Sequence, residues 1–321
     1  AYEVLPISAM ALYQDHTLFV AYDNCVSNTE VLPLNHFPVT EDVVLPDPFG
    51  GVLPVLVGGS GCVTSIATYK DEVFFGGNFT VQVPGSETET ATGVIGFNVT
   101  SQEWRGVGIP NTIASTSDGY QILSLVVAQD LDIPEDVDAL LIGGHFEFQI
   151  NAKDFKGFAA VSLNVEGQGF IDVKSFTSES IVHEIIQGTG NSVFLGGSLQ
   201  LGTNAPAEGV VEYNFSNNTL VQVGALSNIA NSILLTNENA DDDDDSNDEV
   251  TIYAGGNLAS DDGTHNYPVA SYDYAAQVAT GTNGNWTNAG TNIFENFFLG
   301  RVNYLVYETG GSGEGGDNGN A

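Results

Sequence analysis

A glycine pair recurs behind strand-like apolar runs, and this repeat constrains the fold more than any other feature of the chain. It occurs in EVFFGGNFT (Glu72 to Thr80), ALLIGGHFE (Ala139 to Glu147), SVFLGGSLQ (Ser192 to Gln200) and TIYAGGNLA (Thr251 to Ala259). Each run is rich in the β-branched and aromatic residues that favour strands. Gly-Gly follows, then Asn, His or Ser, then Phe or Leu. The second glycines are Gly77, Gly144, Gly197 and Gly256, at separations of 67, 53 and 59. A period of this size marks a repeat architecture in which each copy is one supersecondary unit. Two weaker copies extend the series. Met10 to Asn24 aligns with Ile66 to Asn78, matching Tyr13 to Tyr69 and Asp15 to Asp71, with Ala21-Tyr22 in place of the glycines. Val302 to Gly311 returns the glycine pair. The series implies six units.

The second unit shows what one copy builds. Its apolar runs predict strands at Val63 to Tyr69, Glu72 to Gly77, Gly93 to Val99 and Glu103 to Gly108. The third strand recurs at Ala159 to Asn164, Gly209 to Asn214 and Pro268 to Asp273. A large apolar residue follows each time: Trp104, Phe170, Leu220 and Trp286. Four short antiparallel strands per unit, repeated radially, describe a β-propeller blade. The predicted fold is therefore all-β: a single propeller of about six blades. The glycine pair is expected at the end of the second strand, where neighbouring blades taper together and a side chain would collide. It also permits a bulge. A phosphate loop would need a helix to follow, and no copy has one.

The Gly-Gly pair, with FNVTSQEW (Phe97 to Trp104) behind it, resembles the kelch repeat. The fuller pattern GGNFT, VIGFN, W and VG is more similar to the kelch-like propeller of the fungal cortical polarity-marker family, surface glycoproteins of the secretory pathway. The resemblance spans nearly the whole chain. It implies a propeller at the cell surface and carries over no catalytic residue. Tryptophan is absent from most units, and the first unit lacks Gly-Gly.

Ring closure is expected to use both ends. Tyr2 to Ser8 aligns with the fourth-strand regions Leu220 to Ser227 and Asn285 to Asn292, so it is expected to supply the outer strand of the last blade. Asn296 to Gly300 and Asn303 to Glu308 would complete that blade except for a third strand. The propeller is assigned to residues 1–308, and residues 309–321 form a Gly-rich tail or linker. An incomplete blade leaves three readings open: it has three strands, the chain continues past Ala321, or a neighbouring molecule donates a strand.

Charge limits the partners. The chain has 41 acidic against 6 basic residues, a net charge of −35. Nucleic acid is excluded, because phosphate neutralisation needs Lys and Arg. No apolar run reaches the ~18 residues of a membrane helix. No signal peptide is visible, and a chain beginning at Ala1 fits a processed protein or a fragment. The connections between first and second strands are acidic in four of five units, which predicts one strongly negative propeller face. Among them, Asp241, Asp243, Asp245, Asp248 and Glu249 form a candidate Ca²⁺ site. The alternative is a solvated hairpin tip. This is no EF-hand: Ser246 stands where that loop needs glycine and Ile252 where it needs glutamate.

Cys25 and Cys62 fall on one face of adjacent units and are expected to form a disulfide, which places the protein in an oxidising compartment. Glycosylation sequons occur at Asn78, Asn98, Asn214, Asn217 and Asn285. Catalytic signals are poor. HEIIQ (His183 to Gln187) lacks the second histidine of a zinc-protease motif, and there is no Gly-X-Ser-X-Gly elbow. The five histidines are spread over different units. The sequence thus predicts a non-catalytic extracellular or cell-surface module, structural or adhesive, that contacts other proteins or copies of itself. The alternatives are a Ca²⁺-dependent glycan-binding propeller and a secreted hydrolase or oxidase.

Overall fold

The computed structural model describes residues 7–14, 17–22, 31–38, 49–57, 61–110, 120–131, 137–163, 169–202, 208–224, 226–237, 250–260, 266–274 and 286–288. The described fold is all-β and built from antiparallel sheets. The first sheet orders β1 (Ile7–Tyr13), β2 (Thr17–Tyr22) and β3 (Leu34–Pro38). In the second, β4 (Val55–Leu56), β6 (Glu72–Gln82), β7 (Thr90–Asn98) and β8 (Glu103–Gly106) are neighbours in that order, and β5 (Cys62–Tyr69) pairs with β6. The third contains β9 (Gln121–Leu131), β10 (Val137–Ile150) and β11 (Lys153–Ser162). A bridge from Val161 to Phe170 marks its fourth position. The fourth unit comprises β12 (Ile181–Gln187), β13 (Ser192–Leu199), β14 (Glu208–Asn214) and β15 (Thr219–Gln222). The fifth comprises β16 (Leu226–Asn237), β17 (Val250–Ser260), β18 (Asn266–Asp273) and β19 (Thr287–Asn288). One bridge, Glu208 to Ser227, joins these last two units into a continuous sheet.

The second unit matches its sequence-predicted strands closely, and the reason is burial on both faces. Phe74 packs in the core shared with the third and fourth sheets, whereas Phe75 packs in the core shared with the first. In the same way Leu195 and Phe194 face different cores. A strand covered on both faces reads as a continuous apolar run rather than an alternation. The first strands follow one another through space: β1 lies against β5, β5 against β9, β9 against β12, and β12 against β16.

The two glycines of each pair turn out to have different jobs, and the strand does not end at them. A Cβ on Gly76 would come within 2.8 Å of Leu125 in the next sheet. Gly143 likewise meets Val182 at 2.7 Å, and Gly196 meets Ile233 at 2.9 Å. The first glycine therefore sets the distance between sheets, as the taper argument expected. The second faces its own sheet. A Cβ on Gly77 would lie 1.9 Å from the Cys62 carbonyl oxygen, and Gly144, Gly197 and Gly256 meet the equivalent oxygens at 2.0, 2.0 and 2.2 Å. The cause is a β-bulge in the first strand. The register skips Thr64, Leu123, His183 and Asn231, and the bulged backbone swings into the space beside the second glycine. Pairing resumes beyond the pair, so β6 continues to Gln82 and β10 to Ile150.

The bulges also stitch sheet to sheet. The hydroxyl of Ser8, the residue skipped in β1, donates to the Val63 carbonyl at 2.7 Å. Thr64 donates in the same way to the Ile122 carbonyl. One residue further on, Ser65 accepts the N–H of Leu125 at 2.9 Å, Ser124 that of Ile185 at 3.2 Å, and Glu184 that of Ile233 at 2.8 Å. Burial raises the carboxyl pKa of Glu184, opposed by its hydrogen bonds to Ser232 and Ile233. Four seams between successive sheets thus combine apolar packing with satisfied backbone groups.

Candidate interaction surface

The rim of the second sheet carries a cleft. Three consecutive residues of β8 shape it. The ring of Trp104 is buried against Phe97 at 4.6 Å and stacks on Phe49 at 5.6 Å and 17°. Its indole N–H donates to the Val52 carbonyl at 3.0 Å. That contact ties the segment around residues 49–52 over β8. Gly50 and Gly51 make its turn in left-handed conformations, at φ of 59° and 76°. Arg105 makes a two-point ion pair with Glu72, Nε to Oε1 at 2.7 Å and Nη2 to Oε2 at 2.5 Å. Its guanidinium also lies 5.5 Å from the Phe74 ring centroid. The fixed fork of Arg105 is therefore committed to Glu72.

The resulting cleft has a volume of about 740 Å³. Exposed Glu89 and Glu103 line it, so its unpaired charge is negative. Both large aromatics are spent on packing and offer no free ring face to a sugar. Beside the cleft runs an apolar rim. Val55 and Val57 are each 51% exposed on one side of the extended chain, while Leu56 between them is buried. Val52 and Val31 add to the exposed apolar surface, and Val31 bridges to Val55 across the first and second sheets. The sequence reading missed this surface. It gave no role to Phe49 or to β4, because a two-residue edge strand and a single aromatic in a Pro- and Gly-rich stretch carry no periodicity.

The hairpin tips joining first and second strands make a second, polar surface. They touch from unit to unit. The Tyr13 hydroxyl reaches Asp71 at 3.4 Å, and the Tyr69 hydroxyl donates to Asp138. The Gln187 side chain exchanges two hydrogen bonds with the Gln129 backbone, at 2.7 and 3.2 Å. Asp138 also accepts the Asp130 N–H at 3.1 Å and lies 3.6 Å from the Lys70 ammonium. Burial pulls the Asp138 pKa upward, but Tyr69, the Asp130 N–H and Lys70 together outweigh it and hold the carboxyl below its ordinary 3.8.

A depressed carboxylate pKa contributes stability that is complete above the ordinary value and lost as pH falls through the folded one. Asp138→Asn is accordingly expected to cost about 1.5–3 kcal/mol at pH 7, the range for hydrogen bonds to a charged group. The gap between variant and wild type in urea unfolding should narrow as pH drops below 3.8. A gap independent of pH would show that the carboxylate charge is not what Tyr69 and Lys70 hold.

The sequence-predicted sites divide into described and undescribed ones. Asp241, Asp243, Asp245, Asp248 and Glu249 lie outside the described residues, in the connection between Asn237 and Val250, which pair at the ends of β16 and β17. Among the described residues no group of three or more His, Cys, Asp or Glu could hold a metal ion. Cys62 is buried at the start of β5 and is disulfide-bonded, and Cys25 lies outside the described residues.

The four described sequons differ in setting. Asn78 sits within β6, paired with Cys62. Asn98 ends β7, and its side-chain oxygen accepts the N–H groups of Thr100 at 3.0 Å and Ser101 at 2.8 Å. Asn214 ends β14 with its side-chain oxygen buried and without a hydrogen-bond partner. Asn217 is exposed in the following turn, where its oxygen accepts the Thr219 hydroxyl at 2.5 Å. Asn285 lies outside the described residues. The described histidines, His36, His145 and His183, belong to three different sheets.

No protein-family model and no curated protein matches the chain. Solved structures do. One is the extracellular domain of a one-component system from Bacteroides thetaiotaomicron, at 12% identity and a TM-score of 0.41. That match covers 79% of this chain but only 26% of the other. A second is an endo-arabinase from the same organism, at 10% identity and a TM-score of 0.33, covering 84% of this chain and 94% of that one. Among the described residues no helix is long and apolar enough to cross a membrane.

Proposed function

We propose that the chain is a kelch-like β-propeller of six blades that works, without catalysis, as a structural or adhesive protein-interaction module outside the cell. The propeller reading is supported by the succession of first strands and by aromatic cores lying between consecutive sheets rather than beneath one of them. The disulfide at Cys62 supports an oxidising compartment. The observation that carries the interaction role is the apolar rim of Val52, Val55 and Val57 beside a negatively charged cleft. Exposed apolar surface rimmed by polar groups marks protein contact sites. The fully packed faces of Trp104 and Phe49 favour a protein ligand over a stacked sugar.

Light scattering of the native particle, with and without EDTA, tests this reading. It predicts particles larger than one chain that persist in EDTA and fall to single chains in a Val55→Asp, Val57→Asp double variant. Dissociation by EDTA would instead transfer the contact to the acidic connection 241–249 and a bridging divalent cation. Single chains that turn over a polysaccharide would overturn the proposal.

A further inference from the structure

The first strands offer an internal comparison that exposes one unmatched surface. Pairing register places Ile7 of β1 at the position of Val63, Ile122, Val182 and Ala230. Those four are all 0% exposed, and Ile7 is 57% exposed. Met10 stands at the position of Ile66, Leu125, Ile185 and Ile233, which are 9, 5, 2 and 2% exposed, and Met10 is 65% exposed. Leu12, two residues on and on the same face, is 46% exposed. The residue types are those of a seam, but among the described residues no second strand lies over them.

The other seams show what the cover is. Ile122 and Leu125 lie against Gly76, Val182 and Ile185 against Gly143, and Ala230 and Ile233 against Gly196. The partner in each case is the glycine-bearing second strand of the preceding unit. Close approach is required, since a single Cβ on that strand would sit 2.7–2.9 Å from the facing side chain. Among the described residues β1 pairs with β2 along one edge, and Ile7, Met10 and Leu12 stand on its face, at positions where the other first strands are covered by a packed strand rather than by a hydrogen-bonded one.

Resting on the propeller reading, we infer that the Ile7, Met10 and Leu12 face of β1 is a sixth seam, and that its occupant is Val302 to Gly311 of the same chain. That segment is a further apolar run with a Gly-Gly pair, standing in step with the repeat. Its second glycine falls 55 residues after Gly256, within the spacing range of the other copies. Tethering favours it over a second molecule, because a covalently linked segment acts at an effective concentration in the millimolar range.

A photo-crosslinker tests this in the full chain. p-Benzoylphenylalanine is placed at position 12, at the margin of the face, where the counterparts Thr68, Val127, Gln187 and Leu235 are only partly buried and a larger side chain is tolerable. The expected adduct maps to residues 302–311 within a single polypeptide. An adduct joining two chains would overturn the inference and make β1 a strand acceptor between copies. Adducts elsewhere in the chain, or none, would also overturn it. A second probe at Thr68 separates this failure from that of the propeller reading. Thr68 of β5 contacts the Leu12 carbonyl at 3.4 Å, so its adduct should map to β1. If position 68 succeeds and position 12 fails, the sheet succession stands and only the closure falls. If position 68 also fails, the propeller reading falls with it.

Discussion

Alanine at Gly144 is expected to cost about 4 kcal/mol or more, or to prevent folding, whereas alanine at its neighbour Gly143 should cost about 1–3 kcal/mol. The difference lies in what each methyl group meets. At Gly144 the Cβ would sit 2.0 Å from the Gln121 carbonyl oxygen and 3.0 Å from the Ile122 Cα. Both atoms are backbone, held in the ladder between β9 and β10, and neither can move without breaking the bulge. At Gly143 the obstacles are the Val182 Cγ1 at 2.7 Å and the Ile185 Cδ1 at 3.0 Å. Those are side-chain methyls, able to shift by a rotamer or a small sheet displacement. Urea unfolding of the two variants checks the ordering. For a chain of this size about 4 kcal/mol corresponds to a fall of roughly 6 °C in Tm. Equal losses at the two positions would mean that sheet spacing, not the bulge, governs the glycine pair.

Trp104→Ala is expected to cost about 3–5 kcal/mol, the range for removing a large buried aromatic. The indole touches Phe49, Phe75 and Phe97, so its loss opens a cavity shared by β6, β7 and the 49–52 segment. It also leaves the Val52 carbonyl without its donor. Trp104→Phe keeps most of the ring contacts and loses the hydrogen bond, for a cost of about 1 kcal/mol beyond the smaller ring. The alanine variant has a second signature. Amide exchange should quicken around residues 49–57, since Trp104 is the strut that holds this segment over β8. Unchanged exchange there, with the stability loss as stated, would separate the cleft from the core and weaken the case for a preformed interaction surface.

The strand order within a unit was legible because the second strands are buried on both sides. Val73, Phe74 and Phe75 form an unbroken apolar run that no surface strand would carry. The position of the glycine pair was equally plain, yet only half of its cause was. Contact between sheets follows from the taper of a repeat and explains Gly76. The carbonyl that excludes a side chain at Gly77 comes from a bulge on the partner strand. The bulged residues are Thr64, Leu123, His183 and Asn231, which share no side-chain chemistry. A bulge is an extra residue in a register, and register is a relation between two strands that neither sequence states alone.

The cleft was illegible for a related reason. Phe49 lies more than fifty residues from Trp104 and belongs to no repeat, so only the folded chain brings them together. Conversely, Ile7, Met10 and Leu12 read as an ordinary first strand, and only comparison with the four buried counterparts reveals a surface without its cover.

Small-angle scattering from the size-separated single chain tests the central claim, that the described sheets belong to one closed ring, most directly. A closed propeller of 321 residues predicts a radius of gyration of about 20 Å and a compact, disc-like distance distribution. An elongated profile, with a radius well above that value, would show the sheets stacked in an open arc and would contradict the account.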